Sequence, residues 1–424
     1  MERLLNTIAY PGIALLLLCF VSTAGARIIT VDDDAAADFN NIQAAIDAAS
    51  NGDTVVVEEG TYFENINFRG KNIVLTSTDP NDPNVVAATI IDGQEKNAVA
   101  TFNRGEDANC ILEGFTITNG GMCGNLESAG IFCYNSSPTI RYNLITDNNW
   151  SGEWGGGIYC GGGSSPLIVQ NTIKNNYSEF SGGIDCWDDS SPIITGNIIM
   201  HNRADSGMGA IHVAYSHPII QNNLIALNSG AGIGIYASSS PTVIANNTIV
   251  DTSPSGYEYA GIRVYGSVAP IIRNCILWRN GDELKGCTAT YSCVKGNDTD
   301  GKNNDDGDFN ISTDPLFADS NSVDYHLKSQ AGRWDANEGR WTIDEVTSPC
   351  IDAGDPMTAI GREPFPNGGR INMGAYGGTA EASKSYFGKP PCEIIVAGDI
   401  NGDCAVNSLD FRLMALHWLT NGNF

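Results

Sequence analysis

Asp185, His212 and Arg263 are residue types that can do acid–base work, and in this 424-residue chain they recur at one position of a repeat. Each lies two residues after the position that opens a repeat. The column reads Phe132, Tyr159, Asp185, His212, Tyr236 and Arg263. Two residues further on, a second column reads Tyr134, Gly161, Trp187, Ala214, Ser238 and Tyr265. In an extended strand such positions share one face, between neighbours that point the other way. A carboxylate beside an imidazole can serve as acid and base. A guanidinium can hold a carboxylate or act as the base of an elimination. The rings of Tyr134, Tyr159, Trp187 and Tyr236 can stack on flat apolar faces such as those of sugars. Acidic residues recur at the corner before each opening glycine: Glu127, Glu153, Glu179 and Asp205. They could flank the face, bind substrate, hold calcium or act as catalytic carboxylates. The same residue types also occur on outer strands for cross-strand packing or as surface pairs. The columns therefore leave catalysis, binding and packing open.

The elements that must position these residues follow from a phrase written six times. Its copies centre on Pro138, Pro166, Pro192, Pro218, Pro241 and Pro270, spaced 28, 26, 26, 23 and 29 residues apart. Two residues after each proline come Ile140, Ile168, Ile194, Ile220, Val243 and Ile272; five after come Asn143, Asn171, Asn197, Asn223, Asn246 and Cys275. Seven after come Ile145, Ile173, Ile199, Ile225, Thr248 and Leu277. Alternating short runs rich in Ile and Val predict strands. Self-similarity at this period means that each unit is one coil of a stack and cannot bury its apolar face alone. Stacked coils place equivalent residues about 4.8 Å apart, so a buried Asn can bond the Asn of the next coil. The expectation is an all-β, right-handed parallel β-helix with regular coils over 121–282. Segments at Thr54–Val57, Ile73–Leu75, Thr89–Ile91 and Ile111–Thr118 read as earlier strands. Residues 38–49 have helical spacing, with Phe39, Ile42 and Ile46 on one face, and predict a short helix capping the stack. Residues 283–380 lose the period and predict an irregular cover over the last coil.

The ends and the composition set limits. Arg3, the apolar run Ile13–Val21 and Ala24-Gly25-Ala26 predict a secretory signal over 1–26, too short to span a membrane. Removing it takes away Glu2 and Arg3 and leaves the net charge at −26. Such a chain will not hold nucleic acid or an anionic membrane by charge, and it repels an acidic polysaccharide unless cations bridge the two. Of twelve cysteines, Cys133, Cys160 and Cys186 take one inward position of successive coils, continued by Val213, Ala237 and Val264. Cys287–Cys293 and Cys392–Cys404 are the expected disulfide pairs of an exported chain.

Gly60-Thr61-Tyr62, Gly114-Phe115-Thr116-Ile117 and the repeated Ser-Ser-Pro with Asn-x-Ile resemble the pectate-lyase-like right-handed β-helix superfamily over residues 27–380. That superfamily spans lyases, hydrolases, epimerases and non-catalytic surface proteins, so the resemblance implies fold more than activity. The Gly-His-Gly and Arg-Ile-Lys elements of polygalacturonases are absent, as are the Trp-Ile-Asp-His and Arg-x-Pro-x-x-Arg elements of pectate lyases. Residues 381–392, with Lys389-Pro390-Pro391, read as a linker. Residues 393–424 resemble one half of a dockerin. Asp399, Asn401, Asp403, the Ala405 carbonyl, Asn407 and Asp410 match the ligand positions of an EF-hand calcium loop, with Cys404 where the loop usually has glycine. The resemblances imply a secreted protein that binds and cleaves a polysaccharide by lyase or hydrolase chemistry. Its calcium module would dock on a cohesin-like or cell-surface partner. The alternative is a non-catalytic adhesion protein using the stack as a rigid scaffold.

Overall fold

A computed structural model describes residues 25–121, 130–149, 155–253, 260–266, 268–296 and 307–386, with isolated positions between 398 and 415. The signal segment up to residue 24, most of the linker, Glu127, Glu153, Cys392 and Cys404 lie outside the described residues.

Each coil contributes one strand to each of three parallel sheets. Sheet I, with nine strands, takes the strand after the opening position, such as Ile131–Tyr134 and Ile184–Cys186. Sheet II, with ten, takes the strand after Ser-Ser-Pro, such as Ile193–Thr195. Sheet III, also with ten, takes the strand after the repeated Asn, such as Ile198–Met200. The inward residues of all three form one continuous core, including Ile140, Ile168, Ile194 and Ile220 at 0% exposure.

The expected Asn ladder is present. Asn143, Asn171, Asn197 and Asn223 each donate Nδ2 to Oδ1 of the next coil's Asn at 3.0–3.1 Å, ending on Asn247. A second ladder follows sheet III: Asn148 to Asn176 at 2.9 Å, Asn176 to Asn202 at 3.0 Å and Asn202 to Asn228 at 3.1 Å. Every rung also donates to a backbone carbonyl of the preceding coil, for example Asn197 to Ile168 O at 2.9 Å. An unmade buried amide bond costs about 1–3 kcal/mol, so the ladders fix the register of the stack.

The register corrects the sequence reading at the fifth coil. Ile220 pairs with Ile244, not Val243, and Asn223 bonds Asn247, not Asn246. Ile225 pairs with Ile249, not Thr248. Thr242 takes the place that proline holds in the other coils, since Val243 N bonds Pro218 O as Ile271 N bonds Thr242 O, so Pro241 stands one place earlier relative to its strand. In sheet I the slip is two residues. His212 pairs with Gly234 and Val213 with Ile235, so Tyr236 leaves the first column and Ile235 replaces Ala237 among the inward residues. The doublet Gly232-Ile233-Gly234-Ile235 offers two equivalent openings, and the second had been read as the first.

Helix α1 is Ile42–Ala48, capped by Asn41 accepting from Ala44 N; it begins four residues later than the spacing suggested. Ile42, Ala45 and Ile46 enter the core beside the first strands, and Phe39 instead bridges Val31. The segment Ile111–Thr118 divides at Gly114, whose φ of +82° turns the corner between sheets II and III. Helix α2, Pro83–Ala88, lies on the outer face of sheet III.

The C-terminal segment covers a flank of the stack as well, beyond the bridge from Ile311 to Cys293 on the last coil. Phe317, Tyr325, Leu327, Met373 and Ala375 pack on the outward residues Leu224, Ala226, Val250, Ile276 and Trp278 of sheet III. Those outward positions are apolar, so they demand cover that a polar flank would not. Cys293 joins this cluster beside Cys350, whereas Cys287 packs on the main core; the expected Cys287–Cys293 pair is not formed. Among the described residues no helix is long and apolar enough to cross a membrane.

Candidate functional site

The first column is in register as Phe132, Tyr159, Asp185, His212, Gly234 and Arg263. It is not a bare sheet. Asp185 is 0% and His212 2% exposed, with Phe180 of the segment before one coil opening beside the His212 ring. A Cβ on Gly234 would meet Met208 O at 2.0 Å, which shows how closely the 205–209 segment lies on that strand.

His212 Nδ1 lies 2.9 Å from Asp185 Oδ1. An ionised carboxylate only accepts, so Nδ1 carries the proton and Nε2 presents a lone pair. The ring is flanked by Phe180 at 6.3 Å and Trp187 at 6.1 Å between centroids. Both Nε2 of His212 and Oδ2 of Asp185 are buried without a hydrogen-bond partner among the described residues. Such atoms are destabilising unless something else meets them.

Arg263 stands two strands from His212, roughly 10 Å along the stack, with Gly234 and the Met208 carbonyl between them. Its guanidinium lies 3.9 Å from the centroid of the Tyr265 ring, and burial lowers its pKa against the opposing pull of Asp282. The structure therefore joins Asp185 to His212 and sets Arg263 apart.

The aromatic residues divide into two groups. Tyr159 is 2% exposed, stacked on Phe132 at 5.5 Å in a small cluster with Ala98 and Trp187. It packs against protein. Tyr134 and Tyr236 are exposed in the second column, where Tyr236 replaces Ser238 and pairs with Ala214 and Tyr265. Tyr215 joins Trp187 edge-on at 5.3 Å and Tyr236 at 6.0 Å, completing a strip Trp187–Tyr215–Tyr236 beside the dyad. The sequence reading missed Tyr215 and Phe180. Tyr215 has φ +50° at a corner where other coils place Asn135, Gly162 and Asp188. A bulky residue in that left-handed slot is unusual, and it was the available signal.

The two described corner carboxylates, Glu179 and Asp205, make their contacts away from the dyad. Glu179 is exposed, and its backbone carbonyl accepts from Ser206 N and Oγ. Asp205 accepts from Tyr177 Oη and Arg203 Nε, both at 2.8 Å, and these partners hold its pKa below the ordinary value. Of the tail positions, Asp399, Asn401, Asp403, Ala405 and Asn407 lie outside the described residues. Asp410 is buried, and its Oδ1 accepts from Ile400 N at 2.7 Å.

Three parallel sheets with inward amide ladders and a covered sheet face define a β-helix protein with a buried Asp–His pair on sheet I, while a second such contact, His326 Nδ1 to Asp324 Oδ1 at 2.7 Å, lies in the C-terminal segment. The chain belongs to the right-handed β-helix region family, whose model matches residues 29–199 and 129–305 and so spans more than half of the sequence. Residues 284–354 match a model described as disaggregatase related. No curated protein sequence matches. Among solved structures, pectate lyase Pel9A matches with a TM-score of 0.50 at 14% identity, over 83% of this chain and 96% of its own. XylC in complex with xylose matches with a TM-score of 0.34 at 10% identity, over 69% and 87%. The likeness to Pel9A is one of fold.

Proposed function

We propose that this chain is an exported polysaccharide-acting enzyme whose base is His212, oriented by Asp185. The observation that carries the reading is the buried pair with Nε2 and Oδ2 left unmet among the described residues. Asp185 fixes the tautomer, so Nε2 is ready to take a proton from a bound sugar. Elimination suits a single base: the proton passes to Nε2, its electron pair forms a carbon–carbon double bond, and the glycosidic oxygen leaves. Hydrolysis would ordinarily need two carboxylates flanking the bond. Asp185 has no second carboxylate bonded to it or to His212 among the described residues. Trp187, Tyr215 and Tyr236 would supply the stacking platform. Arg263 would meet a neighbouring saccharide unit. The fold likeness to a pectate lyase supports a polysaccharide substrate.

The tail would tether the enzyme. Its loop offers hard oxygen donors alone, as calcium requires: Asp399, Asn401, Asp403, the Ala405 carbonyl, Asn407 and Asp410. The bond from Ile400 N to Asp410 ties the start of the loop to its last ligand and fits that use. Bound calcium would order the loop for docking on a cohesin-like or cell-surface partner.

One observation favours a non-catalytic scaffold instead. Asp185 and His212 are almost fully covered, and Tyr159 is occupied by protein. The test is incubation with uronate-containing and neutral glycans, with and without calcium, following new reducing ends and unsaturated products. Product formation lost in His212→Gln supports the enzyme. Binding without product on every glycan leaves the scaffold.

A further inference from the structure

The outer face of sheet III is covered at both ends and open in the middle. At one end α2 lies over it, and Thr116 Oγ1 donates to Val86 O at 2.8 Å. At the other, Asn222 Nδ2 donates to Ala375 O and Gly377 O at 3.0 and 2.7 Å, under the C-terminal segment. Outward residues at both ends are buried, as Thr89, Thr116, Leu224 and Thr248 are. Between them Leu144, Thr172, Lys174 and Met200 are half-buried, and Ile198 is 38% exposed. The result is a trench crossing three neighbouring strands, roughly 10 Å from first to last at the usual strand spacing.

Two pockets occupy it. One, of about 410 Å³, lies between α2 and the floor and includes Pro83, Tyr142, Gln170 and Lys174. The other, of about 460 Å³, turns the corner toward sheet I and includes Asn149, Asn175, Tyr177, His201 and Arg203. Lys174 and Asn175 are consecutive, so the pockets lie side by side across that corner. Both volumes suit a small ligand or one segment of a polymer.

The lining has a charge unlike the chain around it. Acidic residues outnumber Lys and Arg by 49 to 23 in the sequence, yet among the described residues no carboxylate lines either pocket. Lys174, Arg203 and His201 do. Asp205 borders the corner and is engaged by Tyr177 and Arg203, which steadies the Arg203 guanidinium 5.4 Å from the Tyr177 ring centroid. Tyr142 and Tyr177 give each pocket a ring, and the amides of Gln170, Asn149 and Asn175 suit hydroxyl groups.

We propose that this trench is a second glycan site, separate from the dyad face, that holds one strand of a carboxylate-bearing polysaccharide. It rests on the reading that the chain acts on polysaccharides and deepens it. Lys174 and Arg203 meet the carboxylates, while Tyr142 and Tyr177 stack on sugar faces. An acidic protein thereby grips an acidic polymer with its own cations, without calcium as a bridge.

Native gel retardation by polygalacturonate, against neutral galactan, tests this on the full chain. Expected are retardation by polygalacturonate alone, persistence in EGTA and weakening with salt. The double variant Lys174→Ala/Arg203→Ala should lose about tenfold or more in affinity, since charge-assisted hydrogen bonds are worth about 1.5–3 kcal/mol each. His212→Gln should be retarded like the wild type. Lys174→Gln and Arg203→Gln, checked by thermal melting, guard against a folding defect. No retardation of the wild type, equal retardation by galactan, abolition by EGTA or an unaffected double variant would each overturn the trench. Product assays are independent, so wild-type turnover without wild-type retardation removes only this proposal, and retardation without turnover removes only the enzyme.

Discussion

His212 offers a free ring nitrogen because Asp185 occupies the other, and the register of sheet I sets them opposite each other on adjacent strands. Removing either partner should affect turnover more than binding. We expect His212→Gln and Asp185→Asn to lower kcat by about 10²–10⁴-fold, the usual range for a general base. KM should change little, as initial rates on the responsive glycan will show. Equal activity in either variant would exclude the dyad as the catalytic base. The dyad was legible in the sequence because both residues follow an opening position at the same offset. Its burial was not legible, since strand alternation assigns a face but cannot say what folds over it. Tyr236 was misassigned because Gly232 and Gly234 both precede an isoleucine.

At the scale of the element, the regular coils are held by a buried Asn at two of their three corners. Asn197 bonds Asn223 and the carbonyls of Ile168 and Thr195 in a fully buried setting. Asn197→Ala should cost about 1–3 kcal/mol, measured as a lower midpoint in urea. Asn246→Ala should cost less, although the proline spacing marked it as the equivalent rung. Asn246 bonds Asn372 O in the C-terminal segment instead, and Asn247 is the rung. If the two rank the other way, the register given by the ladder is wrong. The repeat made strands and corners plain, but the displaced Pro241 and the Asn246-Asn247 doublet hid a one-residue shift. Only hydrogen bonding distinguishes two such neighbours.

For the whole molecule, two buried carboxyls set a pH dependence. Burial raises the pKa of Glu283 and of Glu363 to about 7 in the folded chain, from an ordinary value of 4.5. Between those values the folded state holds protons that the unfolded state has lost, so stability falls as pH rises from about 4.5 to about 7. Thermal melts across that window should show the decline, and Glu283→Gln with Glu363→Gln should flatten it. A melt that rises with pH and keeps its slope in the double variant would contradict the assignment. The tail is tested separately. EGTA should speed protease removal of residues 393–424 while leaving the β-helix intact, and calcium should restore protection. Cleavage indifferent to calcium would count against the dockerin-like reading. The stack was visible in the sequence through fixed spacings. The trench was not, because its walls, α2 and the segment around Ala375, are 289 residues apart, taking Val86 to Ala375 as the span, and meet only through the stack.

The amide ladder also has a direction. Each Asn from 143 to 223 donates to the Asn of the later coil as well as to a carbonyl of the earlier one. Those from 171 on receive on their oxygen from the Asn of the earlier coil, so the side-chain amides share one orientation along the axis and reinforce one another. Such a row can be lengthened only by a residue that brings an oxygen to its far end. Cys275 brings a sulfur there, 3.3 Å from the Arg273 carbonyl, and takes its own backbone partner from Ser292. The row thus carries a chemical terminator. Coils duplicated upstream of Asn247 would extend the stack in phase, whereas coils added after Cys275 would have to begin a new row.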